Sequence, residues 1–181
     1  GLHQRAMEGR RAASVLDVGC GAGYFFEFLK KNRNPQERAL RYLGVDCVPE
    51  MIAAARKKYP DAEFRVSALQ DGLPGVAARD FSVANGVFTV KAAASKKAMW
   101  AFITRGLSAM WEKSNIGMSF NLMTTFVDYR YDRLMYLDPA DVISNLSPRF
   151  GRRFAVFHDS RLFDAVYVWL KDPAGLWTDS R

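Results

Sequence analysis

The sequence predicts a doubly wound α/β fold, a mostly parallel seven-stranded sheet with one antiparallel strand at its C-terminal end. Three observations predict it. Short apolar runs alternate with helix-length segments from residue 14 to residue 170, the pattern of strands and crossover helices packed on both faces of a parallel sheet. The first apolar run enters a turn holding Gly19, Gly21 and Gly23, where a ligand-binding strand-to-helix connection belongs. The last two apolar runs are separated by a few turn residues, which allows a hairpin and no crossover.

Each element follows in order. Residues 14–18 enter the glycine turn as a strand, and residues 24–31 leave it as a helix. After the polar stretch 31–37, residues 41–46 read as a second strand. Pro49 suits the first turn of the next helix, whose N–H groups lack partners in any case, and that helix runs to Tyr59-Pro60. A third strand spans 63–67, the turn residues of 70–75 follow, and a fourth strand spans 80–85. A helix over 95–113 precedes the fifth strand, 116–121, and Asp138-Pro139 opens another helix. Residues 153–158 and 163–170 are the closing strands, joined at Asp159-Ser160-Arg161. No repeat, low-complexity tract or linker divides the chain, so one domain over residues 1–181 is expected.

Composition narrows the class. At 49% hydrophobic residues, a chain of 181 residues can bury a core of ordinary domain size. No run approaches the roughly 18 apolar residues of a membrane span, and no signal-peptide order opens the chain, so a soluble cytoplasmic protein away from the membrane is expected. The chain begins at Gly1 without Met, which leaves room for a further helix ahead of it in the native protein. Cys20 and Cys47 have no metal-ligand spacing; both are expected reduced, with no metal bound. The net charge of +7 suits a nucleic-acid binder, but it is scattered over Arg10-Arg11, Lys30-Lys31, Arg56-Lys57-Lys58, Lys96-Lys97 and Arg152-Arg153, as on ordinary solvated helix faces and ends.

The turn Asp17-Val18-Gly19-Cys20-Gly21-Ala22-Gly23 carries the sharpest signal. Its glycines permit a tight bend and close approach of a ligand, and the helix behind it presents oriented amides. Three details separate it from a dinucleotide site. The third glycine falls one residue short of Gly-x-Gly-x-x-Gly, Asp17 would repel a pyrophosphate, and Asp46 ends the second strand where ribose hydroxyls need an acceptor. An NAD-dependent dehydrogenase is excluded on that spacing.

With Asp17 to Gly23 and Asp46 in place, the chain resembles the class I S-adenosylmethionine-dependent methyltransferases over residues 12–170. The resemblance implies a Rossmann-like methyltransferase fold, S-adenosyl-L-methionine as cofactor and S-adenosyl-L-homocysteine as product. It implies that Gly19, Gly21 and Gly23 line the methionine part, with Cys20 in the same turn. Asp17 would orient the amino group, and Asp46, followed by Cys47, would hold the ribose. After the third strand many members carry an acid that reads adenine, whereas this chain has Ser67-Ala68-Leu69. Adenine is then left to backbone and apolar contact at Ala68 and Leu69, or to Gln70 or Asp71. Asn85 and Gly86, ending the fourth strand, are expected to touch the cofactor.

Methyl transfer is an in-line displacement in which the protein mainly positions a nucleophile; a base is needed only for a poorly acidic hydroxyl or a protonated amine. His158 is the catalytic candidate, because a strand parallel to the others would deliver it to the ligand edge, with Asp159 or Asp128 to orient it. The aromatic and charged segment 121–137 is expected to be a lid or specificity loop. A small-molecule acceptor, methylated at oxygen or nitrogen, is the leading reading. A tRNA or rRNA methyltransferase is favoured by charge, but Asn85-Gly86-Val87-Phe88 does not form the motif of Asn or Asp, two prolines and an aromatic with which amino-methylating nucleic-acid enzymes grip a flipped base. A non-catalytic cofactor-binding scaffold is the remaining alternative.

Overall fold

The structure, a computed structural model, describes residues 13–32, 40–159 and 161–172. Arg10-Arg11, most of the polar stretch 31–37 and Ser160 of the closing turn lie outside the described residues. Strands β1 (Ala13–Val18), β2 (Leu40–Asp46), β3 (Glu63–Val66), β4 (Arg79–Ala84), β5 (Ser114–Thr124), β6 (Tyr136–Leu137), β7 (Phe154–His158) and β8 (Asp164–Leu170) share one sheet. Its order is β3-β2-β1-β4-β5-β8-β7, with β6 paired to β5 off that path. All pairings are parallel except those of β8, which runs antiparallel between β5 and β7. The expected sheet is therefore present, with the two-residue β6 added.

Alternation along each strand divides the core in two. Leu16, Val18, Leu43 and Val45 face helix α3 (Lys96–Glu112) and helix α4 (Pro139–Phe150), which contribute Ile103, Leu107, Met110, Val142 and Leu146. Tyr42 and Phe64 face the other way, packing with Ile52 and Ala55 of α2 (Pro49–Lys58) and with Phe26 and Leu29 of α1 (Tyr24–Asn32). The helix starts are chemically marked: the Ser95 hydroxyl accepts from the Ala98 N–H (3.1 Å), and the Asp138 carboxylate accepts from the Ala140 N–H (2.8 Å). Among the described residues no helix is long and apolar enough to cross a membrane.

The fifth strand is longer than its sequence suggests, ending at Thr124 rather than residue 121. Its extension comes from β8, which pairs from Gly117↔Leu170 to Met123↔Asp164. The stack of Phe120 on Tyr167 (5.4 Å between ring centres) and Trp169 (6.0 Å) holds that register. This most apolar strand therefore takes the interior position, and β7 becomes the sheet edge.

Candidate active site

Strand order reverses between β1 and β4, so their carboxyl ends open a crevice at the switch point. The glycine turn forms one wall. Gly19 takes a left-handed backbone (φ +71°), and a Cβ there would stand 2.4 Å from Cγ2 of Val87. A side chain is excluded by conformation and by space alike. The turn is held to β2 by the N–H groups of Gly19 and Cys20, which both donate to the Val45 carbonyl (2.8 and 3.0 Å).

Asp46 then locks two loops together. Its Oδ2 accepts from the Gly21 N–H and its Oδ1 from the Val48 N–H, each at 2.9 Å. Each carboxylate oxygen keeps further accepting capacity for a ligand.

Asp17 faces away from the crevice. It is buried on the α1/α2 side, where the Tyr42 hydroxyl donates to its Oδ2 at 2.5 Å. Burial pushes its carboxyl up from 3.8 to about 6, with Asp46 adding to the rise and the Tyr42 hydrogen bond opposing it. Burial, then the negative charge of Asp17 and Asp46, pushes the neighbouring Cys20 thiol up to about 12. That thiol is uncharged and packed beneath Gly44, which removes it as a nucleophile.

On the β4 side a polar chain sets the floor. The Gly86 N–H donates to Oδ1 of Asn121 (2.7 Å), and Nδ2 of Asn121 donates to Oδ2 of Asp164 (2.5 Å). Thr89 closes the loop through its hydroxyl to the Gly86 carbonyl (3.1 Å).

The crevice measures about 370 Å³ and is lined by Val18, Gly19, Asp46, Cys47, Ser67, Leu69, Gln70, Asn85, Gly86, Val87 and Phe102. Six residues expected from the sequence are thus brought together: Gly19, Asp46, Cys47, Leu69, Asn85 and Gly86. Gly21 reaches it through its bond to Asp46. Asp17, Cys20, Gly23 and Ala68 are not among the lining residues; a Cβ on Gly23 would strike the Tyr59 ring at 2.9 Å. Gln70, an alternative contact for adenine, also lines the crevice, whereas Val18, Ser67, Val87 and Phe102 were not assigned to the site. Phe102 comes from α3, where its helical spacing signals only core packing.

His158 is not brought to the crevice. It ends β7, three strands from β4 and therefore about 14 Å away along the sheet edge. Its Nδ1 lies 3.4 Å from the Asp164 carbonyl oxygen, and its exposed ring sits 6.4 Å from that of Phe126. The carboxylate of Asp159 turns to the guanidinium of Arg161, which holds it below its ordinary value.

The residues present fit a sulfonium nucleoside. Asp46 suits a ribose diol, Leu69, Val87 and Phe102 form an apolar slot, and the Ser67 hydroxyl, buried in the wall of that slot, has no hydrogen-bond partner among the described residues. The comparisons agree. A family model described as a methyltransferase domain matches residues 15–108. A Mycobacterium tuberculosis protein named as a methyltransferase is 30% identical over 156 residues, 83% of this chain and 89% of that protein. Among solved structures, magnesium protoporphyrin IX methyltransferase from Synechocystis PCC 6803 with bound S-adenosylhomocysteine superposes with a TM-score of 0.63 at 13% identity, covering 94% of this chain and 79% of its own. A TehB-like methyltransferase from Corynebacterium glutamicum gives 0.60 at 18% identity, covering 93% and 86%. Those two likenesses carry the fold, while the family model and the mycobacterial relative carry the class: the chain belongs to the S-adenosylmethionine-dependent methyltransferases of class I.

Proposed function

We propose that this enzyme methylates a small polar acceptor at oxygen or nitrogen, and that the crevice at the β1/β4 switch point holds its cofactor. The observation that carries the reading is the shape of the ligand edge. Two loops narrow it, because the Met135 N–H donates to the Thr89 carbonyl (3.0 Å) and the Lys91 N–H to the Arg133 carbonyl (2.9 Å). The segment 125–137 thus lies across the loop after β4, presenting the exposed rings of Phe126, Tyr129 and Tyr131. A recess with an aromatic rim suits a small molecule better than a broad docking surface.

S-adenosylmethionine, when bound, supplies an activated methyl carbon. Asp46 would accept from the ribose hydroxyls, and the backbone of Gly19 and Gly21 would border the amino-acid end. Asn85, Gly86 and Val87 separate the cofactor from the acceptor side, and the Asn121 bond fixes where they stand. Among the described residues, the ionisable side chains lining the crevice are Asp46 and Cys47, both at the proposed ribose end. Rate acceleration therefore rests on positioning and on exclusion of water. His158 stands on the rim, where it reaches only an acceptor that extends past Phe126.

The test is a transfer assay with labelled S-adenosylmethionine on a panel of small carboxylic acids, phenols and amines, run beside bulk tRNA and rRNA. Turnover on a small acceptor supports the reading. Turnover confined to RNA and collapsing between low and moderate salt favours the rival that the +7 net charge suggests.

A further inference from the structure

Where many methyltransferases carry an acid after the third strand, this chain places a hydroxyl that finds no hydrogen-bond partner among the described residues. Ser67 follows β3 directly, and its N–H donates to the Asp46 carbonyl (3.0 Å), which fixes the residue beside the ribose-binding acid. The residue is 7% exposed and its Oγ has no hydrogen-bond partner among the described residues. Leaving a buried hydroxyl unpaired is unfavourable, so such groups normally meet a partner.

The surroundings indicate which part of a ligand that is. Leu69, Val87 and Phe102 make the apolar part of the crevice, and Gln70 stands beside them. Of the pieces of an S-adenosyl ligand, the ribose diol, ammonium, carboxylate and sulfonium all need polar or charged partners. Only the purine is a flat, weakly polar ring that gains from apolar walls.

We propose that the Ser67 hydroxyl reads the six-position edge of the purine, and that this crevice accepts a 6-oxo purine about as well as a 6-amino purine. The inference rests on the crevice being the cofactor site. The chemistry is one of donor and acceptor count. A carboxylate only accepts, so it favours the 6-amino group and repels a 6-oxo oxygen. A hydroxyl accepts and donates and turns to suit either six-position group, and the amide of Gln70, with the same duality, can meet ring N1 both as the acceptor of a 6-amino purine and as the N–H donor of a 6-oxo purine. Replacing the acid by Ser67 removes the group that would discriminate against the 6-oxo ring.

The experiment is calorimetric titration of the whole chain with S-adenosyl-L-homocysteine and with S-inosyl-L-homocysteine. The two dissociation constants are expected within about tenfold of each other. Ser67→Ala should weaken both by at least about threefold. Ser67→Thr, which keeps the hydroxyl, should leave both near the parent values. Ser67→Asp should reject the inosyl compound by more than about tenfold relative to the adenosyl one. Thermal melting of each variant checks that it folds. A parent protein that itself rejects the inosyl compound by more than about tenfold, or affinities untouched in Ser67→Ala, would overturn the inference. Asp46→Ala separates the two levels. If it abolishes binding while Ser67→Ala changes nothing, only the purine assignment falls. If it too leaves both affinities unchanged, the crevice reading falls with it.

Discussion

On the β1–β3 side of the ligand edge the walls are set mainly by backbone: Gly19 bends against Val87, and the Asp46 carboxylate binds the amides of Gly21 and Val48. On the β4–β8 side the equivalent work is done by side chains far apart in sequence, Asn121 joining Gly86 to Asp164 across separations of 35 and 43 residues. The side proposed for the cofactor is thus specified by what glycine permits, and the side proposed for the acceptor by which amide and carboxylate meet. A backbone-defined wall tolerates almost no substitution where a Cβ would intrude, whereas a side-chain-defined floor can be retuned to a different acceptor.

The largest effect should come from Gly19→Val. It forces a β-branched residue into a left-handed conformation and drives its side chain into Val87. Titration with S-adenosylhomocysteine should show affinity reduced by about a hundredfold, since about 3 kcal/mol of strain is placed in the wall itself. Retained affinity would mean that the turn is softer than its contacts imply.

Asp17→Asn sharpens the contrast by separating stability from binding. Because the folded-state value of Asp17 lies near 6, above 3.8, its contribution to stability is fully present below pH 3.8 and is lost as pH rises through about 6. The displacement corresponds to about 3 kcal/mol, so the neutral amide, which can still accept from Tyr42, should make the protein more stable by up to that amount at pH 7.5 and by little at pH 4. Urea unfolding at the two pH values decides it; equal stability at pH 7.5 would show that Asp17 titrates normally.

Asn121→Ala tests the other side. With Gly86 and Asp164 each losing a partner, methyl transfer should fall about tenfold in kcat, while S-adenosylhomocysteine affinity falls no more than about threefold. The reverse split would place Asn121 with the cofactor. Smallest of all, His158→Ala should lower kcat by less than about threefold, because the imidazole sits on the rim. A large fall in kcat would restore it as the base.

How much was readable beforehand follows the same division. The glycine turn and Asp46 were legible because positive backbone angles and a strand-end acid leave marks in a few adjacent residues. The fold was legible from alternation, although β5 was read three residues short at its carboxyl end, since its extension depends on β8, more than forty residues later. Val87 and Phe102 were hidden for a different reason: an apolar residue near a crevice has the same local pattern as one in the core. His158 was placed on the correct edge of the sheet, but the insertion of β8 between β5 and β7 moved it away from the crevice. Strand order is a long-range property that local sequence does not encode.

The most direct measurement is a crystal structure of the chain grown with S-adenosylhomocysteine. The account predicts the ribose hydroxyls on the Asp46 carboxylate, the purine between Leu69 and Phe102, and the sulfur facing Asn85–Val87. Density for the ligand anywhere else on the sheet edge, or a crevice filled by protein side chains, would contradict it.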